Sequence, residues 1–518
     1  MFPDPLFHLR VLKFRKNIKH NRRKAGGLMK QIGFDFNNMF DMNVGSVHGV
    51  TKEELSALKP VLKQAHRHFH GLLLDEDTRQ RLSLEWVTLP FQSPETIRGI
   101  KKLADEIAAD YENVIFLGIG GSYLGLKAAQ DALLPAYYNE FESLRKGRPR
   151  IYFEGNNLDP DTLSVLLKSL KPKKTFCVVI SKSGETTETK AGLALVEDWL
   201  KKGVGKNYGR QIVAITDPVQ GNLRKKVNAA QMKDAQSFRN LPLLKGVGGR
   251  FSELNMGLLH LAVAGVALDD FLKGAAAMSA RSASDDCMKN PALLYAGLQN
   301  ILYRHKGKSI AIMMPFSETL KSTGDWYSQL LAESLGKKFS RRIVFDARGK
   351  EMWESDTGCV VNVGRTPVAS RGTNDLHSIQ QNNMEGQFDK TVTFIRVENF
   401  ASDLAVVGTG DFLSGKKFSK LLNIAQEATE WALVKESRPN CAVIMPRVSA
   451  FYWGQLLFFF EMATAYEGEL LNVNAFDQPG VEGYKNYMYF KLEKPGLDEK
   501  IAADIRRKPL IKKTAYIL

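Results

Sequence analysis

VIFLGIGGSYLGLKAAQDALL, residues 114–134, passes from a short apolar run through a glycine-rich turn into an amphipathic stretch. The run at 114–117 has the length and composition of a buried strand, and the apolar residues beyond Ser122 recur at helical spacing. The same grammar surrounds it. Apolar runs at 151–153 (IYF), 175–180 (TFCVVI) and 212–216 (IVAIT) are separated by helix-length stretches near 123–134, 161–170 and 186–202. Strands alternating with helices predict an α/β fold with a mostly parallel sheet flanked by helices. A long apolar helix is expected after Ser252, through LNMGLLHLAVAGVALDDFL. The alternation then restarts with SIAIMMPF at 309–316, RIVFD at 342–346, TVTFI at 391–395 and CAVIMP at 441–446. The chain reads as two successive α/β arrays, repeated in architecture but without extended self-similarity of sequence.

Around this double array the expected organisation is a basic extension at 1–28, a helical segment at 29–90, the first array at 91–285, the second at 286–475 and a C-terminal segment at 476–518. In the helical segment, Thr51 followed by Glu53 and Glu54 predicts a helix start, with Leu55, Leu58 and Leu62 on one face. At 518 residues, 44% hydrophobic and 25% charged, the chain has ample material for a core, which excludes collagen-like and disordered classes. No apolar run reaches the roughly 18 residues a membrane span needs. The most apolar stretch, 451–460, is followed at once by Glu461 and reads as a buried helix.

The net charge of +16 suggests nucleic acid until its location is considered. Arg10, Lys13, Arg15, Lys16, Lys19, Arg22, Arg23 and Lys24 face only Asp4 within the first 28 residues, so that extension holds nearly half of it. The body is mildly basic, which suits an enzyme for anionic metabolites rather than a nucleic-acid binder. The extension has no apolar core of secretory length; it reads as a species-specific addition ahead of a globular sequence that starts at Met29, or as a disordered, solvated basic tail, and alternatively as an Arg-rich organellar transit peptide, although it carries no serine. Cys177, Cys287, Cys359 and Cys441 form no CxxC pair, which argues against a zinc site or disulfide framework and fits a reducing cytoplasm. Cys177 and Cys441 stand in apolar runs and read as small buried hydrophobes.

Several polar clusters interrupt this pattern. GIGGSYLG (118–125) places backbone amides at a helix start, which suits an anion, while a dinucleotide fold is the rival reading of so glycine-rich a turn. SKSGETTET (181–189) gathers Ser181, Ser183, Thr186 and Thr187 around Gly184; a capped helix needs one hydroxyl, and four favour a phosphate pocket. GGRFS (248–252) sets Arg250 on a glycine turn, as an exposed cap or as a functional cation. AESLGKK puts Glu333 at the end of an apolar helix, as a solvated group or as a general base. GTNDLHSIQQ carries His377, and FDQPGVEGYK carries Gln478 and Lys485 around a Pro-Gly turn.

Taken in order, GIGGSYLG, SKSGETTET, GGRFS, ESLGK, GTNDLH and DQPGVEGYK resemble the glucose-6-phosphate isomerase (phosphoglucose isomerase) family in its bacterial form, over roughly residues 30–495. The resemblance implies two sugar-isomerase (SIS) domains and a cytoplasmic homodimer of glycolysis and gluconeogenesis. It implies interconversion of glucose 6-phosphate and fructose 6-phosphate with no cofactor and no metal. It places the phosphate on Ser181, Ser183 and Thr186 with Lys182 beside them, and sugar contacts on Gly121, Ser122 and Gln478. It makes Glu333 the base, Arg250 the enediolate-stabilising cation, His377 and Lys485 the ring-opening pair, and Glu188 the carboxylate that orients the histidine. The histidine is implied to come from the other subunit, so that active sites are shared. One departure is GVEGYK, where eukaryotic members read GVELGK. Alternatives are another phosphosugar isomerase, a non-enzymatic sugar-phosphate-binding SIS protein, which needs the pocket but not Glu333, His377 and Lys485, and a dinucleotide-dependent oxidoreductase.

Overall fold

The computed structural model describes residues 30–518, so the extension expected at 1–28 lies outside the described residues. The chain forms two compact units, one running to Ala475 and one spanning Phe476–Leu518.

The segment expected to be helical begins with a strand. β1 (Gly33–Asp35) pairs antiparallel with Ala442, Val443 and Ile444, and three residues are too few to carry a strand period of their own. α1 (Lys52–Leu72) starts where the sequence predicts. Thr51 Oγ1 accepts the Glu54 amide at 3.1 Å and the Glu54 carboxylate accepts the Thr51 amide at 2.8 Å, a reciprocal cap that satisfies two helix-end donors.

The first sheet contains β2 (Asn113–Leu117), β3 (Arg150–Glu154), β4 (Thr175–Ile180), β5 (Ile212–Thr216) and β6 (Arg239–Pro242), all parallel, in the order β3-β2-β4-β5-β6. Its first four strands match the apolar runs. β6, with the sequence RNLP at the sheet edge, has no apolar signature to find. Of the flanking helices, α2 (Leu124–Leu133) follows the glycine turn, and α3 (Thr187–Val204) lays Leu193, Val196 and Leu200 against Ile115, Cys177, Val179 and Ala214. From β2 the chain moves to β3 on one side and then crosses to β4 on the other. Such a reversal opens a crevice at the carboxyl ends of β2 and β4, where α/β proteins bind ligands.

The single apolar helix expected after Ser252 is two helices. α4 (Glu253–Val263) gives way at Gly265, whose φ of +81° turns the chain, and α5 (Leu268–Ser282) follows. Helical periodicity alone reads straight through that break.

The second sheet starts with β7 (Ile310–Pro315), which leads into α6 (Ser322–Leu335). RIVFD, expected as a strand of this sheet, instead ends β8 (Lys337–Phe345), which pairs antiparallel with β9 (Glu351–Val363) in a separate ribbon. The cause is local. The Asp346 carboxylate accepts the amides of Arg348 and Lys350 at 2.8 and 2.9 Å and turns the chain back, and residues 342–345 have no buried face to offer a sheet. β10 (Thr366–Ala369), β11 (Lys390–Asn399) and β12 (Asn440–Arg447) complete the sheet in the order β1-β12-β11-β7-β10, parallel except for β1.

α7 (Ala450–Leu471) is buried along nearly its whole length, as the 451–460 run predicts. It meets α5 backbone to backbone: a Cβ at Gly274 would lie 1.9 Å from Phe451 O, and one at Gly454 would lie 2.2 Å from Phe271 O. Beside α7, Arg365 and Glu467 form a two-pronged ion pair at 2.7 and 2.9 Å, with side chains only 2% and 4% exposed. Replacing Arg365 by methionine strands a buried carboxylate and is expected to cost about 3–5 kcal/mol. Denaturant unfolding reads that loss directly, and a variant as stable as the parent would contradict it.

The second unit holds α8 (Glu482–Lys491) and a helix at Glu499–Arg507. Among the described residues no helix is long and apolar enough to cross a membrane.

Candidate active site

The glycine turn after β2 and the GGRFS turn before α4 are in direct contact. A Cβ on Gly121 would fall 2.1 Å from Gly249 O and 2.7 Å from the Arg250 amide, so only glycine lets the two turns meet. Ser122 lies in the same short helical turn, Gly120–Ser122. Gln329 of α6 closes over this turn, because a Cβ on Gly120 would lie 2.9 Å from Gln329 Nε2.

Arg250 is not an exposed cap. It is only 3% exposed and donates from Nε to Ser334 Oγ at 2.7 Å and from Nη2 to Ala475 O at 2.7 Å. Nη1 donates to Glu333 Oε2 at 3.2 Å. Those fixed partners hold a permanent positive charge against one oxygen of Glu333. The other oxygen, Oε1, accepts from Gln329 Nε2 at 3.2 Å. Glu333 keeps 29% of its side chain exposed, so the carboxylate is anchored yet reachable. At the carboxyl end of α6, Lys337 Nζ donates to Glu333 O at 2.6 Å, a cation at the negative helix end.

The SKSGETTET loop leaves the carboxyl end of β4, next to β2 in the sheet, so it emerges beside the glycine turn. Ser181 Oγ accepts the Gly184 amide at 3.0 Å and Ser183 Oγ accepts the Glu185 amide at 3.1 Å. The loop therefore uses these hydroxyls as acceptors, which leaves each O–H free to donate outward. Thr186 is the cap residue of α3 and its hydroxyl makes no capping bond, so hydroxyl and helix-end amides point the same chemistry at an anion. Lys182 is exposed beside them.

Glu188 lies in the first turn of α3 and is half-buried, while His377 is exposed in the short turn Asn374–His377 that follows β10. No hydrogen bond joins the two within the chain. In the second unit, Gln478 immediately precedes the turn Pro479–Val481, and Lys485 lies in α8 with Nζ 2.7 Å from Glu482 Oε1. Burial works against the charge on Lys485, but the Glu482 carboxylate holds its pKa above the usual lysine value. Among the described residues no group of three or more His, Cys, Asp and Glu side chains could hold a metal ion.

Sequence reasoning missed Gln329 and Lys337. Both are four residues from Glu333, one helical turn on either side, and that spacing was the available signal.

A buried arginine on a helix-end carboxylate, beside a hydroxyl-rich loop at the switch point of a parallel sheet, can hold an anion next to a group able to move a proton. The phosphoglucose isomerase family model matches residues 102–502, and the chain belongs to that family. The glucose-6-phosphate isomerase of Carboxydothermus hydrogenoformans is 37% identical over 476 residues, covering 90% of this chain and 96% of its own. That of Caldanaerobacter subterraneus is 35% identical over 483 residues, covering 91% and 98%. A solved structure of a hypothetical protein from Thermus thermophilus matches with a TM-score of 0.74 and 31% identity, over 89% of this chain and all of that one. The Chlamydia trachomatis glucose-6-phosphate isomerase shares the fold, with a TM-score of 0.69 at 21% identity over 96% and 98% of the two chains.

Proposed function

We propose that the chain interconverts glucose 6-phosphate and fructose 6-phosphate, with Glu333 as the proton-transferring base and Arg250 as the charge that stabilises the enediolate. The contact of Arg250 with Glu333 beside the glycine turn carries this reading. The phosphate binds the hydroxyls of Ser181, Ser183 and Thr186 and the first amides of α3, near Lys182. This group does no chemistry. Its binding fixes the sugar so that C1 and C2 meet Glu333, which turns remote binding energy into rate. Gly121, Ser122 and Gln478 contact the sugar.

The ring must open first: its oxygen gains a proton as the O1 hydroxyl loses one. His377, oriented by Glu188, and Lys485 serve that step. Glu333 then takes the C2 proton, the C2–H electrons form the C1–C2 double bond, and the carbonyl electrons move to O1. Arg250 offsets the charge growing there. The O2 hydroxyl proton passes to O1, Glu333 returns its proton to C1, and O2 becomes the carbonyl, which gives the ketose. The assay is conversion of fructose 6-phosphate to glucose 6-phosphate by the purified chain, with the rate expected to survive extensive dialysis against a chelator. Absence of conversion would sink the proposal.

The working form is a cytoplasmic homodimer in which each site takes its histidine from the partner. The exposure of His377 and its lack of a bond to Glu188 within one chain are consistent with that arrangement. Mixing inactive Glu333→Gln and His377→Ala subunits under conditions of proven exchange tests it. Half of the dimers are then hybrids with one intact site of two, so activity should recover to roughly a quarter of the parent. If base and histidine came from one chain, every site would keep a defect and nothing would recover.

A further inference from the structure

Glu253 opens α4 three residues after Arg250, and Glu461 lies in the middle of α7. The two residues are 2% and 1% exposed, and their carboxyl groups face each other closely enough to interact directly. Two buried carboxylates facing each other would repel if both were charged, so the arrangement favours a pair that retains one proton. Neither group is ion-paired. From α6, Trp326 Nε1 donates to Glu253 Oε1 at 3.0 Å. From the start of α2, the backbone at Gly125 approaches so closely that a Cβ there would lie 2.2 Å from Glu253 Cγ. From α4 itself, the amides of Ser252 and Glu253 face the carboxyl. Glu253 Oε2 and Glu461 Oε2 accept a hydrogen bond from no other group.

The position of the pair gives it a role. Gly125 is three residues beyond Ser122, so it fixes the exit of the glycine turn. Trp326, Gln329 and Glu333 are spaced i, i+3 and i+7 and so lie along one face of α6. Glu253 thus touches the roots of three elements of the candidate site: the glycine turn, the Arg250 turn and the helix that carries the base.

We infer that Glu253 and Glu461 share one proton and together position Arg250, the glycine turn and Glu333, so that turnover depends on a proton held outside the substrate pocket. These are positioning residues, since neither meets the sugar, and the part of the inference that concerns turnover rests on the isomerase reading above. Burial, and for Glu461 also the neighbouring Glu253, pushes both carboxyls above the usual carboxylate range. Folding that raises an acid's pKa favours the fold most at low pH, and that benefit is lost as pH rises through the folded value. Removing the shared proton leaves two negative charges in contact with no cation beside them, which pushes α4 from α7 and loosens the hold on α2 and α6.

The test compares the parent with the double variant Glu253→Gln, Glu461→Gln, whose amides can bond to each other without a shared proton. Melting temperature, and kcat and KM for fructose 6-phosphate, are followed from neutral to alkaline pH. The parent should lose melting temperature and kcat together on one alkaline limb, about tenfold in kcat per pH unit beyond its midpoint, with KM unchanged. The double variant should lack that limb. Parallel limbs in both proteins would overturn the inference.

A second measurement needs no variant to fold. The infrared carbonyl band of a protonated carboxyl should be present in the parent at neutral pH and vanish along the same limb. If no such band titrates there, the pair holds no proton and the inference fails. Melting and infrared readings need no turnover, so a parent that failed to isomerise would overturn the isomerase reading while leaving the shared proton visible.

Discussion

Glu333→Gln is expected to lower turnover by about 10²–10⁴-fold, the usual worth of a general base. Glutamine keeps the length of the side chain, and its carbonyl can still accept from Arg250 Nη1 or Gln329 Nε2, the two donors that hold Glu333 at 3.2 Å each. What it loses is the capacity to accept a proton from carbon. The phosphate loop leaves a different strand, so fructose 6-phosphate should still bind with near-parental affinity. The split between lost kcat and retained binding distinguishes a base from a group that merely shapes the site. A variant with more than a tenth of parental turnover would remove Glu333 from that role.

The second large effect belongs to Arg250. Charge builds on the substrate oxygens only as the enediolate forms, so a fixed guanidinium there acts mainly on kcat. Removing one such donor from a preorganised site costs roughly 3–4 kcal/mol, or about 10²–10³-fold. Arg250→Met should show that loss. Arg250→Lys should recover part of it, because the charge returns but one ammonium cannot reproduce the bonds a planar fork sends to Ser334, Ala475 and Glu333. Two variants equal in kcat to the parent would mean that Arg250 only braces the turn. A fall confined to the melting temperature would say the same.

How much of this was legible in the sequence depended on whether a residue's role is local. The four apolar strands of the first sheet and the capped start of α1 announce themselves, because burial and capping leave marks within a few residues. β1, β6 and β10 do not. Each is short and lies at a sheet edge, and β10 carries Pro367, which is tolerated there because one side needs no partner. The apolar stretch beyond Ser252 hid its break because Val266 and Ala267 are apolar in composition although the turn at Gly265 leaves them partly or fully exposed. In RIVFD the composition of a strand was right and its partner wrong, since the turn at Asp346 lies outside the run.

The site divides in the same way. The motifs located Arg250, Glu333 and the hydroxyl loop, but the Gln329 contact with the glycine turn needs the two arrays folded together. Glu461 is the sharpest case. In the sequence it marks the end of an apolar run; in the fold it is 1% exposed and faces Glu253, far earlier in the chain. Nothing local distinguishes a carboxyl that ends a buried stretch from one that is buried with a shared proton.

The central claim is that Glu333 moves a proton between C1 and C2. The most direct measurement is isomerisation of fructose 6-phosphate in D₂O, with the product followed by NMR. While the enediolate is bound, the protonated Glu333 can exchange its proton with solvent, so deuterium should accumulate at C2 of glucose 6-phosphate and at C1 of the recovered ketose. Glu333→Gln should abolish both signals under the same conditions. Rapid conversion without deuterium at either carbon, or deuterium incorporation undiminished in Glu333→Gln, would contradict the account.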